Sequence, residues 1–395
     1  MKSDHSYIKP IEIFKVFLKL GLTSFGGPIA HIGYFYREFV IRRKWLSESE
    51  FTQLVALSQV LPGPASSQIG FCIGFFKAQW RGALLAFVAF TFPSAVLLTI
   101  FAKFYSAFSA QIALMHALKL VALVVVASGV LSMLRRLCPD ISRIMIATLS
   151  AFLILYSGGA VMQLLLIMMS GFLGALICKL EKPLGNSILT VPYGRAVGVF
   201  FLLIFALSFV PSLFVDNNRL LQIFTIFYHA GALVFGGGHV VLPLLEEAIV
   251  KPGLMSLSDF LSGYGAAQAV PGPMFSLAAF LGDRLADSGQ ELIGAGIALF
   301  AIFLPGFLLI LGALPFLRLL ASNEIFSKFV MGINAGVVGL LAAALYNPIL
   351  LSAVHSLSDI LIALVGFVLL HFLGFNSILI ILWCVTATYG IFYLF

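Results

Sequence analysis

Charge is what this sequence has least of. Only 10% of its 395 residues are Asp, Glu, Lys or Arg, against about 25% in soluble domains, while 61% are hydrophobic and the mean hydropathy is +1.09. That shortage excludes an ordinary soluble domain. Period-two alternation is missing too, which excludes an outer-membrane barrel. The polar N-terminus has no short apolar segment ending in a small-residue cleavage site, so no removable signal peptide is expected. The cysteines Cys72, Cys138, Cys178 and Cys384 stand far apart without a C-x-x-C pair, which indicates neither a disulfide framework nor a metal site. Nucleotide-binding G-x-x-x-x-G-K-[ST], H-E-x-x-H and G-x-S-x-G motifs are absent. No cofactor, no metal site and no enzyme activity are expected.

What the chain does have is apolar runs of roughly twenty residues, recurring from Ile11 to Phe395. That length lets an α-helix cross about 30 Å of hydrocarbon. The expected fold class is an all-α polytopic membrane protein. Continuous spans are expected near 82–104, 112–134, 141–157, 160–179, 196–215, 291–317, 326–347, 357–373 and 375–395. The net charge of +7 comes mostly from basic residues between the runs, where they set orientation. No nucleic-acid partner is expected.

The two halves resemble each other. "IFKVFLKLGLTSFGGPIAHIGYFYREFV" is matched by "IFTIFYHAGALVFGGGHVVLPLLEEAIV". Phe25-Gly26-Gly27 aligns with Phe235-Gly236-Gly237, Glu38 with Glu247, Gln59 with Gln268, Pro62-Gly63-Pro64 with Pro271-Gly272-Pro273, and Pro93 with Pro305. The chain therefore divides into an N-terminal repeat (1–180), a polar linker (181–195) and a C-terminal repeat (196–395). The four motif segments, about 11–40, 51–77, 220–250 and 259–285, break the positive-inside rule if each crosses once. Folded back as Gly/Pro-broken re-entrant helical hairpins, they leave all but Lys103, Arg219, Lys251 and Arg284 of the 23 basic residues on the cytoplasmic side. Five continuous spans then separate the two pairs of hairpins. An odd number makes the halves inverted-topology repeats, with the N-terminus cytoplasmic.

Pro-Gly-Pro stops a helix, because proline lacks an amide donor and clashes one turn back, and glycine permits the reversal. Such a break in hydrocarbon is tolerated only where protein or a watery cavity supplies partners. A helix restarting there points free N–H groups and partial positive charge at its surroundings, which makes an anion site. The candidate substrate-binding residues are Gly26, Gly27, His31, Gln59, Pro62, Gly63, Pro64, Ser66, Ser67 and Gln68 in the first half. In the second they are Gly236, Gly237, Gly238, His239, Gln268, Pro271, Gly272, Pro273 and Ser276. Serines and glutamines add neutral donors. His31 and His239 can donate to an oxyanion or move a proton, or serve as packing residues. Glu38 and Glu247 are coupling candidates, or partners of a basic neighbour such as Arg37. Lys15, Lys19, Lys77 and Arg81 read first as interfacial anchors.

The stretches "FGGPIAHIGYFYREFV", "QVLPGPASSQIGFCIGF" and "RGALLAFVAFTFPSA", with "FGGGHVVLPLLEEAIV", "DFLSGYGAAQAVPGPMFSLAAFLG" and "FLPGF", resemble the long, two-domain members of the chromate ion transporter family. The resemblance covers nearly the whole chain. It implies an inner-membrane carrier that exports chromate, a tetrahedral dianion like sulfate. Sulfate or another oxyanion remains an alternative cargo, and an intramembrane enzyme acting on a lipid-linked anion is a further reading. A dianion leaving through 100 mV gains roughly 4.6 kcal/mol, which favours export driven by membrane potential or proton exchange. The expected partners are chromate, sulfate and the bilayer; a homodimer stays open.

Overall fold

The computed structural model of the chain describes residues 8–25, 27–109, 112–157, 160–179, 191, 193–210, 218–235, 240–316 and 323–394. Among the described residues every regular element is helical and no strand occurs. Four helices, Ala65–Tyr105, which breaks at Ala78 and Gln79, Ala113–Leu137, Glu291–Phe316 and Glu324–Ala353, are long and apolar enough to cross a membrane. Shorter apolar helices cover Ile141–Ser157, Met162–Ile177, Arg195–Leu207, Leu357–His371 and Ser377–Phe392. Each expected span overlaps one of these helices, though the helix at 196–215 covers only Arg195–Leu207 and residues 211–215 lie outside the described ones. The protein is a multi-pass membrane protein with two homologous halves. Phe92, Phe152, Phe172, Phe200 and Phe300 stand more than half exposed, an arrangement that suits lipid and not water.

The motif segments are built differently, as pairs of helices with a break between them. Pro10–Thr23 is followed by Gly27–Phe35, and Glu48–Val60 by the helix starting at Ala65. In the second half Arg219–Leu233 precedes Val241–Leu245, and Leu257–Ala269 precedes Leu277–Leu285. The 14 residues of Pro10–Thr23 rise about 21 Å, well short of the bilayer core. Local sequence fixes where these helices start: Pro10 sits at a first-turn position, where its missing N–H is harmless. Ser47 and Glu50 form a reciprocal capping box. Asn218 accepts the Leu221 N–H. Both halves then carry a π-helical turn at the same place, Tyr36–Arg42 and Glu246–Val250, holding the paired Glu38 and Glu247.

Two compact units emerge, and they do not follow the sequence copies. The first comprises Met1–Thr99, Lys182–Gly238 and Val270–Asn323; the second comprises Ile100–Glu181, His239–Ala269 and Glu324–Phe395. Each draws on both halves of the chain. In the first unit Phe17, Phe35, Phe39 and Phe90 are buried together with Leu54, Ile69 and Ile310. Phe17 stacks on Phe39 at 5.0 Å. Helix Glu291–Ala313 packs on Arg195–Leu207, Arg219–Leu233 and Leu277–Leu285. In the second unit Ile112–Leu137 packs against Leu257–Ala269, Leu357–His371 and Ser377–Leu394. There Glu324–Ala344 lies on Ile141–Ser157 and Ala160–Ile177, and Gly332 meets Gly174 backbone to backbone. Small residues at such contacts let membrane helices gain dispersion energy by close approach. Most of the 181–195 linker lies outside the described residues.

Candidate functional site

The first compact unit brings the two Pro-Gly-Pro breaks into one reciprocal arrangement. Gly63 has φ +123° and Gly272 φ +106°, values that only glycine adopts readily. Helix Pro10–Thr23 ends at Ser24 and helix Arg219–Leu233 at Val234, the residues that precede the paired Phe-Gly-Gly motifs. A helix end leaves carbonyls without partners, and in an apolar setting each needs one. Gly63 donates its N–H to the Val234 carbonyl at 2.7 Å, and Gly272 donates to the Ser24 carbonyl at 2.9 Å. Each half's break thus caps the helix end of the other half. The free N–H groups expected at the restarting helix are therefore not those of the break glycines, which these carbonyls occupy.

The donors that remain lie one turn further on. Gln68 N–H closes onto the Pro64 carbonyl at 2.9 Å, so the N–H groups of Ala65, Ser66 and Ser67 form the open first turn of the restarting helix. Ser66, Ser67 and Gln68 are all buried there. Gln68 Nε2 bridges the two halves, donating to the Pro62 and Gly306 carbonyls at 2.9 Å each. Its Oε1 has no partner among the described residues, and neither do Ser67 Oγ, Ser24 Oγ or Thr91 Oγ1. Buried polar atoms left this way are uncommon, and each marks a place where something polar can be received.

His31 is completely buried on helix Gly27–Phe35. Its Nε2 lies 3.2 Å from the Ser24 carbonyl and its Nδ1 3.4 Å from Ser66 Oγ. A carbonyl only accepts, so Nε2 carries the hydrogen, and in the neutral ring Nδ1 accepts from the Ser66 hydroxyl. The ring meets Phe90 edge-on at 5.3 Å. Across the unit, Ser94 Oγ donates to the Thr91 carbonyl at 2.8 Å and lies 2.6 Å from Ser276 Oγ. Ser94 has spent its hydrogen, so Ser276 is the donor in that pair.

A family model described as "Chromate transporter" matches residues 11–175 and 221–390, which is most of the chain in two blocks. The chain belongs to the chromate transporter family. Members of this family are transport proteins, and the protein is a membrane transporter and not an enzyme. An uncharacterized transporter of Methanocaldococcus jannaschii is 28% identical over 94% of this chain and 92% of its own length. A probable chromate transport protein of Synechococcus elongatus is 28% identical over 90% of this chain and 88% of its own. The chromate transport protein of Cupriavidus metallidurans is 26% identical, covering 90% and 86%. No solved structure matches.

Within this family member, the expected site residues sort into groups. His31, Pro62, Gly63, Ser66, Gln68, Gly272 and Ser276 enter the bonds and close contacts just described, with Pro64 against Gly306 and Pro273 and Pro271 buried beside the second break. Gly27 opens its helix at φ +76°. Gln59 is half-buried one turn before the first break. Gln268, also buried, belongs to the second compact unit. Gly26, Gly236, Gly237, Gly238 and His239 lie outside the described residues. Glu38 is held by Arg43 at 2.6 Å and Arg42 at 3.2 Å, so its partners are these and not Arg37. Arg43 also reaches Glu12 at 2.9 Å. Glu247 pairs with Lys251. Lys15 and Lys19 are exposed, as interfacial anchors are, whereas Lys77 is buried. Ser24, Thr91, Ser94 and Gly306 were not anticipated. Ser94 and Gly306 directly follow the paired Pro93 and Pro305, a signal already present in the repeat.

Proposed function

We propose that the protein exports chromate from the cytoplasm across the plasma membrane, binding the dianion beside the two interlocked breaks. The observation that carries this reading is the open first turn at Ala65–Ser67, whose own Ser67 hydroxyl and the Gln68 amide oxygen that follows are buried without partners among the described residues. Backbone N–H groups at a helix start, with Ser24, Ser67 and Thr91 hydroxyls, stabilise an oxyanion without a fixed countercharge. Weak, neutral coordination suits a carrier, which must release what it binds. His31 adds a switchable element: when it takes a proton at Nδ1, the Ser66 hydroxyl is freed to donate to the anion.

The cargo is assigned from the family and from the chromate transport proteins that match nearly the whole chain. Outward direction follows from energy: a dianion leaving a negative interior gains roughly 4.6 kcal/mol per 100 mV. The motif segments act as re-entrant hairpins, a reading supported by contacts between their ends. Glu12 at the start of the first segment pairs with Arg43 beyond its end, and the Ile8 N–H meets the Lys77 carbonyl after the second. In the second half Arg219, before the third segment, donates to the Leu285 carbonyl at the end of the fourth at 2.6 Å, closing that pair of segments as Ile8 and Lys77 close the first pair. The swapped capping of Ser24 and Val234 is what two copies related by a pseudo-twofold axis produce, and an odd number of intervening spans lays that axis in the membrane plane.

Everted vesicles test the function. Chromate should accumulate in them with saturation and in response to an imposed potential, and sulfate should compete. Saturable sulfate uptake that chromate cannot inhibit would assign the carrier to sulfate instead, and absence of both would reject oxyanion export.

A further inference from the structure

We propose that His116, His355 and Asp359, in the second compact unit, form a binding site for one divalent transition-metal ion of the zinc type. These residues come from opposite halves of the chain: His116 from helix Ile112–Leu137, Asp359 from the first turn of helix Leu357–His371, and His355 from just before that helix's N-cap Ser356. Each offers one ligand atom, and the three atoms lie within 4.8 Å of one another. Imidazole nitrogens with one carboxylate are the donor set that selects zinc, copper or nickel over magnesium and calcium, which prefer all-oxygen shells. The site takes no part in the anion-binding reading above and does not depend on it.

The carboxylate is already oriented as a metal ligand is. Asp359 Oδ2 accepts the backbone N–H groups of His355 at 2.9 Å and Ser356 at 3.0 Å, and the Ser356 side chain caps Asp359 N–H in return. Those bonds fix the carboxylate and leave Oδ1 directed at His116 Nε2, 2.7 Å away. Such outer hydrogen bonds to a ligating group set its angle and its basicity. The two imidazole rings lie 5.7 Å apart at 48°. Tetrahedral zinc with bonds of 2.0–2.2 Å holds its ligands about 3.3 Å apart. Binding therefore spreads the close His116–Asp359 pair slightly and draws in His355, whose ring is exposed and free to rotate. The ion takes the place of the hydrogen on His116 Nε2: a neutral ring shifts that hydrogen to Nδ1 with no net release, and a protonated ring releases one proton. With three protein ligands and an exposed side, a fourth position is open to water or another donor.

The partially buried setting favours the ion further. Asp359 is 6% exposed and carries a negative charge beside a helix start, and a cation supplies the compensating charge that His116 provides only when protonated. The Ser356 cap keeps that helix start satisfied whether or not the ion is bound.

Cobalt and zinc provide the test. Purified full-length protein without a polyhistidine tag, in detergent, should take up one Co2+ per chain with visible d–d absorption, and Zn2+ should displace it. His355→Ala, which alters an exposed ring, should elute as the wild type does and bind at least about tenfold more weakly. Asp359→Asn, which retains an oxygen for the N-cap, should do the same, whereas His229→Ala should bind as the wild type. Lack of saturable Co2+ or Zn2+ binding overturns the proposal. So does unchanged affinity in His355→Ala, whatever the behaviour of the other variants.

Discussion

Replacing Gly63 with alanine tests the interlocked breaks directly. At φ +123° an L side chain is strained, by about 1–3 kcal/mol. The added Cβ would also stand 2.7 Å from Gly306 Cα and 2.8 Å from Gln68 Nε2. Gly306 is backbone within helix Glu291–Ala313 and cannot move alone, so Gln68 gives way and its bonds to the Pro62 and Gly306 carbonyls are lost. Two bonds at about 0.5–1.5 kcal/mol each add about 1–3 kcal/mol, for a total of roughly 2–6 kcal/mol. That is a large share of a typical folding free energy of about 5–15 kcal/mol, so the variant should fold but melt earlier in detergent. If the lost energy falls on the transport-competent arrangement, each 1.4 kcal/mol costs about tenfold, and chromate uptake into everted vesicles should drop at least about tenfold at matched expression. Gly27→Ala is the comparison. Gly27 has φ +76° but nothing within 4 Å of an added Cβ, so strain of about 1–2 kcal/mol is all it should cost. Equal melting and equal uptake for Gly63→Ala and Gly27→Ala would refute the interlock as the reason glycine stands at 63.

Gly272→Ala should be milder than Gly63→Ala, because its Cβ meets Ser94 Oγ, a rotatable group, at 2.9 Å and the Phe90 carbonyl at 3.2 Å; parallel melts rank the two. A double-mutant cycle of Ser94→Ala and Ser276→Ala should give a coupling of about 0.5–1.5 kcal/mol from unfolding midpoints, and additive losses would dismiss the 2.6 Å bond as energetically idle. With Cys72, Cys138, Cys178 and Cys384 replaced, Lys251→Cys should react with an impermeant maleimide added to intact cells and Lys44→Cys should not. Both lysines are exposed in the structure, so identical labelling would end the inverted arrangement.

The breaks were legible because proline and glycine together stop a helix, whereas the single Pro93 and Pro305 lie inside helices, and the apolar helices were legible because hydrocarbon demands length. Partner choice was not. Val234 and Ser24 accept through backbone carbonyls, which no side chain advertises, so the exchange between Gly63 and Val234 left no trace in the residue types. A basic neighbour such as Arg37 was one reading for Glu38, and the neighbours it binds are Arg42 and Arg43. The reason is the π-helical turn Tyr36–Arg42, whose wider winding brings position i+5 next to i. Ser94 and Gly306 could have been found, since each follows a proline already paired between the halves. His116 and Asp359 are 243 positions apart, and neither residue carries a local pattern that names the other. Hydrophobicity also says nothing about which helices gather, and so it hid the division into two units that each mix the copies.

The exchanged caps have a consequence for how the chain is made. When Gly63 leaves the ribosome, the carbonyl that will accept its N–H belongs to a residue about 170 positions downstream and does not yet exist. At 5–20 residues per second, that wait lasts roughly 10–30 s. During synthesis the Gly63 N–H must therefore be met by water or by another partner until its later twin arrives.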